Sequence, residues 1–174
     1  MSDILINNKL QGGVYMNFND GVDYNKFLEE ATSDQMEMIK KQAGVSKICD
    51  YGLDKLKKID KEVKVAVFSE TRCGDAATAI PILLGLKELN KNINIKFFKT
   101  ENYKEFLENN LGESRIPTIL KVDDEFNIID KYIEFPKYVK DRLANEEKED
   151  VVREFRSGKY SEEIQKSLIQ LILK

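Results

Sequence analysis

The sequence contains no histidine and no tryptophan. Without imidazole it lacks the usual neutral-pH general base and the usual zinc ligand, so metal chemistry would fall to carboxylates, and none of these cluster at ligand spacing. Cysteine is scarce as well. Cys49 and Cys73 are the only two in 174 residues, and with no export signal ahead of them they read as thiols rather than as a structural staple. No apolar run reaches membrane-spanning length, and the opening MSDILINNKLQGG lacks the basic, apolar, small-residue order of a secretory signal. A cytoplasmic location without a membrane partner is therefore expected. The 28 basic and 31 acidic residues are interspersed, with a net charge of −3. No basic block is present to follow a phosphate backbone, which speaks against nucleic acid as a partner.

What is present is organised around residues 64–81, KVAVFSETRCGDAATAIP. A continuous apolar, β-branched run stops at a short polar turn, and an Ala/Ile/Leu-rich segment follows, a change of period that marks strand, loop and helix. Cys73 opens the helix. There the free backbone N–H groups and the positive end of the helix dipole, together with Arg72, favour a thiolate, while Asp75 opposes it, so a modestly acidified thiol is expected.

On either side the chain reads as follows. Residues 1–21, with Gly12-Gly13 and Asp20-Gly21, suggest a loosely ordered arm. Tyr24, Phe27, Leu28 and Ala31 have helical spacing; Thr32 and Gln35 form a capping box for a second helix carrying Met36, Ile39 and Ala43 that Gly44 closes. A third helix over about 46–59 would align Val45, Cys49, Leu53 and Leu56, making Cys49 a small buried apolar residue. After the strand at 63–68 and the helix from Cys73 to Leu89 come a strand at 92–98, a short helix at 101–109, and strands at 118–122 and 127–133 that form an antiparallel hairpin. Pro136 precedes another helical segment; 145–150 reads as a solvated stretch and 156–160 (RSGKY) as a turn. A last helix, capped at Ser161, carries Ile164, Leu168, Leu171 and Ile172 on one face. The expectation is one α/β domain over 1–174: the arm, an N-terminal helical preface at 22–60, a core at 61–145 and a C-terminal helical extension at 146–174.

From residue 63 the order is βαβαββα. With Cys73 at the helix start, Pro81 within the helix and Ile116-Pro117-Thr118 before the third strand, the chain resembles the thioredoxin superfamily. It is most similar to bacterial thioredoxin-like proteins of uncharacterised role that have a helical preface and a Cys-x-Asp-Cys or Cys-Gly-Asp-Cys motif. The resemblance implies a thioredoxin fold, a mixed central sheet flanked by helices. It also implies a nucleophilic Cys73 facing a cis Pro117, with the backbone at Ile116 pairing with an extended substrate. The chain departs from the family pattern at three positions. The second motif cysteine is Ala76 in Cys73-Gly74-Asp75-Ala76, the usual Trp before the nucleophile is Arg72, and the buried carboxylate of the first strand is Val67.

The resulting expectation is a thiol–disulfide protein that acts through Cys73 alone and cannot complete a dithiol cycle by itself. Its substrate would be a protein disulfide or a low-molecular-weight thiol, with no other cofactor. Arg72, Gly74, Asp75, Arg115, Ile116 and Pro117 make up the expected substrate-binding set. Arg115 reads either as a holder of a substrate carboxylate such as that of glutathione or as a solvated surface residue. The alternative is a redox-inactive module of the same fold that binds polypeptide in the groove between Cys73 and Pro117. A third class, a transferase or arsenate-reductase type, is disfavoured by the short C-terminal helical region and the lack of an arginine cluster.

Overall fold

The computed structural model describes residues 15–174. A four-stranded sheet forms the middle layer: β1 (Val63–Ser69), β2 (Ile93–Lys99), β3 (Thr118–Val122) and β4 (Ile128–Ile133), in the order β2-β1-β3-β4. β1 and β2 are parallel, with Val63 opposite Ile93 and Ser69 opposite Lys99. β3 runs antiparallel to β1 and forms the expected hairpin with β4, interrupted by a bulge between Lys121 and Val122.

Strand alternation explains the two cores. Because successive side chains point to opposite faces, Val63, Val65 and Val67 join the larger core with Ile93, Ile95 and Phe97. Ala66 and Phe68 join Phe98, Phe106 and Leu107 on the other face. β1 is buried along nearly its whole length, as a central strand covered on both sides should be.

The larger core is closed by α4 (Gly74–Leu89), the crossover from β1 to β2. Its run from Gly74 to Ile80 is entirely buried, because α2 (Ser33–Val45), α7 (Lys148–Arg156) and α8 (Ser161–Leu173) pack around it. α2 has the expected capping box: Thr32 Oγ1 accepts from Gln35 N at 3.3 Å and Gln35 Oε1 accepts from Thr32 N at 3.2 Å. Its inward residues are Ile39 and Gln42, and Ala43 faces solvent. α5 (Lys104–Leu111) covers the opposite face, after a 3-10 turn at Thr100–Asn102.

Several expectations are corrected. The first part of the expected arm, residues 1–14, lies outside the described residues, but Met16 and Phe18 are buried in the smaller core and Phe18–Asp20 forms a 3-10 turn. Val22 then bridges antiparallel to Phe97 through two backbone hydrogen bonds. Large apolar side chains that find a pocket overcome the turn-forming preference of their Asn and Gly neighbours.

The helix expected over about 46–59 reduces to α3 (Leu53–Leu56). Gly52 precedes it in the left-handed region, φ 72°, and the backbone N–H groups of Lys47 and Cys49 are held by the side chains of Ser161 and Gln165 instead of by helical bonds. The charged stretch after residue 147 is α7, whose Val151 and Phe155, four apart, are fully buried. Finally, Ser161 is not an N-cap: Tyr160 occupies that position, and Ser161 Oγ donates to Gly158 O at 2.8 Å.

Candidate functional site

Where β1 ends, residues 70–72 turn the chain and Cys73 N donates to Glu70 O at 3.1 Å. Cys73 takes the N-cap position of α4 with extended backbone, φ −84° and ψ 112°. Its sulfur therefore does what a capping oxygen usually does: Sγ accepts from Ala76 N at 3.4 Å. On its other side the thiol donates to Ile116 O at 3.7 Å. The Ile116–Pro117 peptide bond is cis, and Thr118 Oγ1 fastens the segment by donating to Arg115 O at 2.6 Å. Two chain segments far apart in sequence thus meet at one half-buried sulfur.

The balance of forces on that sulfur differs from the expected one. Burial pushes the Cys73 thiol up, and the Asp75 carboxylate adds to the effect; the N–H groups of Ala76 and Asp75 and the Arg156 guanidinium pull it down without compensating fully. The helix terminus acts as expected, but desolvation of the charged form outweighs it.

Arg72, Cys73, Asp75, Arg115 and Ile116 line one open cleft of about 490 Å³, together with Glu70, Thr100, Lys104 and Glu134 among others. Gly74 and Pro117 are buried and do not line it. Arg72 is exposed. Arg115 is neither free nor merely solvated: it pairs with Glu113, and its Nη1 lies 3.0 Å from Glu134 Oε2. Glu134 is partly buried, and burial raises its carboxyl above the ordinary range, partly offset by Arg115. Its backbone N donates to Pro117 O at 2.7 Å, which ties it to the proline segment. Thr100 Oγ1 is buried without a hydrogen-bond partner among the described residues.

Sequence reasoning missed Glu134 and, further from the cysteine in sequence, Arg156. Arg156 lies at the end of α7, in a stretch read as a turn, yet its Nε donates to Asp75 Oδ1 at 2.8 Å. The guanidinium covers Gly74 so closely that a Cβ there would stand 3.0 Å from Cζ and Nε. No local signal connects positions 81 residues apart. Asp75 lies in the first turn of α4 with Arg156 as its partner, and its side chain is nearly buried. Cys49 does not line the cleft; both cysteines are free. Among the described residues no group of carboxylates and thiols is placed to hold a metal ion, and no helix is long and apolar enough to cross a membrane.

A parallel β1-α4-β2 crossover joined to a β3-β4 hairpin, with a cysteine at the first helix terminus facing the turn before β3, defines a thioredoxin-type α/β fold. The thioredoxin family model matches residues 21–151, and the chain belongs to that family. Among solved structures, a protein of unknown function from Pseudomonas aeruginosa superposes with a TM-score of 0.76 at 19% identity, covering 89% of this chain and 93% of that one. An HIV epitope-scaffold superposes with a TM-score of 0.75 at 20% identity, covering 89% and 94%. At these identities the likeness concerns the fold. No curated protein matches the chain significantly.

Proposed function

We propose that the protein is a thioredoxin-like thiol–disulfide protein that works through Cys73 alone, opposite the cis Pro117. The observation that carries this reading is the position of Sγ, capping α4 at Ala76 N and lying 3.7 Å from Ile116 O. A thiolate formed there attacks one sulfur of a substrate disulfide, RS–SR′. The new bond is Cys73–SR, and R′S⁻ leaves and takes up the proton released by Cys73. The mixed disulfide must then wait for an external low-molecular-weight thiol, because Ala76 occupies the position from which a second cysteine would attack. In this reading Arg72, Asp75, Arg115 and Ile116 face the substrate, while Gly74 and Pro117 shape the backbone beneath it.

Incubation with oxidised glutathione followed by mass spectrometry is expected to give a single glutathione adduct on Cys73, lost in Cys73→Ser and kept in Cys49→Ser. Ala76→Cys is expected to add catalytic disulfide reduction with a dithiol reductant. An adduct formed equally well without Cys73 would overturn the proposal. A second reading, a redox-inactive polypeptide-binding module, is favoured by the burial that pushes the thiol up. It requires that Cys73→Ser leave capture of partner polypeptides unchanged and that Ala76→Cys gain no activity.

A further inference from the structure

A second concave feature, which shares no lining residue with the Cys73 cleft, lies between α2 and α7. It is a groove of about 910 Å³, within the roughly 300–1,000 Å³ typical of small-molecule sites. Its apolar surface is provided by Val45 of α2 and Val152 of α7, both partly buried. Lys41, Lys148, Arg153 and Arg156 surround this surface, against one lining carboxylate, Glu149. Arg153 is already paired with Asp150 and Arg156 with Asp75, which leaves Lys41 and Lys148 uncommitted among the described residues. Gln42, buried on the α2 side, uses its Oε1 to accept from Thr78 Oγ1 at 3.4 Å, so its amide N–H₂ group is available as a donor.

We propose that this groove binds a small amphiphilic carboxylate and that Arg156 transmits its presence to Cys73. The apolar body of the ligand lies along Val45 and Val152, and its head group meets Arg156, Lys148 and the Gln42 amide. A carboxylate is favoured over a neutral ligand because the lining cations outnumber the single acid, and charge-assisted hydrogen bonds to a guanidinium are the strong ones. A small molecule is favoured over an acidic helix by the volume.

Arg156 is the link because it lines the groove and pairs with Asp75, which lines the Cys73 cleft. One edge of the guanidinium holds Asp75 in the Cys73 cleft, and the same side chain lines the groove. A carboxylate in the groove competes with Asp75 for that cation. Asp75 is then less neutralised beside the sulfur, and the thiolate is disfavoured. The ligand shifts the balance only through this difference in contacts. This second half rests on the reading of Cys73 as a reactive thiol, whereas binding in the groove does not.

The test uses decanoate as probe and decanol as its neutral counterpart, with the full chain carrying Cys49→Ser so that Cys73 alone reports. Calorimetry is expected to show one decanoate site that decanol does not occupy, weakened at least tenfold by Lys148→Glu, an exposed change, and by Arg156→Gln. Val152→Trp, which fills the groove, is expected to abolish it. Decanoate is expected to slow alkylation of Cys73 by iodoacetamide at pH 7 about threefold, through a smaller thiolate fraction, and to have no such effect in Arg156→Gln. No binding, equal binding of decanol, occupancy only by an acidic amphipathic peptide, or binding indifferent to both charge variants would overturn the site. Binding that leaves the alkylation rate of the parent unchanged would overturn the link. Failure of the glutathione adduct to form would count against the thiol–disulfide reading without touching the calorimetric result.

Discussion

At Cys73 two charges of opposite sign act from one ion pair. Asp75 lies two residues away on the same helix and Arg156 reaches in from α7, and they pull the thiol in opposite directions. Asp75→Asn removes the repulsive charge and leaves the guanidinium in place. The thiol pKa is expected to fall, and alkylation at pH 7 to accelerate about threefold or more; the pH dependence of iodoacetamide labelling measures both, and an unchanged or higher pKa would contradict the assignment. Tyr132 raises a related question of burial. Its hydroxyl is buried without a hydrogen-bond partner among the described residues, and burial pushes the phenol far above its ordinary value, with Asp75 and Glu134 adding to the effect. A raised folded-state pKa contributes stability that is present below the unfolded value of about 10 and is lost as pH rises above it. Tyr132→Phe removes both the unpaired hydroxyl and the titration. It is expected to keep or raise stability at pH 8 and to lose less than the parent between pH 8 and 10.5 in urea titrations.

Among the elements, α7 shows why patterns alone were insufficient. Its Val151 and Phe155 are deeply buried, but they sit among so many charged residues that the segment reads as solvent-exposed until α4 and α6 (Lys137–Leu143) are placed beside it. The turn from α7 to α8 depends on Gly158, with φ 83°; a Cβ there would stand 2.3 Å from Val45 O. Gly158→Ala meets both a left-handed backbone penalty of roughly 1–2 kcal/mol and a collision with the end of α2. A loss exceeding about 2 kcal/mol in urea unfolding is expected. By contrast α2, β1, α4 and the β3-β4 hairpin formed where capping and periodicity located them, because their local preferences and their burial agree.

Across the whole molecule, the C-terminal helix fastens the N-terminal preface. Gln165 of α8 is completely buried; its Nε2 donates to Cys49 O at 2.8 Å and to Tyr51 O at 2.9 Å, while its Oε1 accepts from Cys49 N at 2.8 Å. These three bonds replace the helix that residues 46–52 do not form. Gln165→Ala leaves part-buried backbone groups of Cys49 and Tyr51 unpaired and empties a fully buried position; an unpaired group costs about 1–3 kcal/mol when fully buried and less where water reaches it. The substitution is expected to destabilise the fold by at least about 2 kcal/mol and to speed alkylation of Cys49 while leaving that of Cys73 unchanged. Equal protection of Cys49 in the variant would show that the preface is held by other contacts.

The sequence by itself determined the order of strands and helices from residue 63, the capping box of α2 and the strand-to-helix junction at Cys73. Those features depend on neighbours a few residues apart and on a periodicity that burial reinforces. Only the tertiary structure decided that Arg156 neutralises Asp75, that Glu134 engages Arg115, that Gln165 secures the segment around Cys49, and that desolvation outweighs the helix terminus at the thiol. Each of those outcomes joins residues distant along the chain, and hydrogen bonds, charge pairing and loss of solvent act through distances that exist only once the helices have packed.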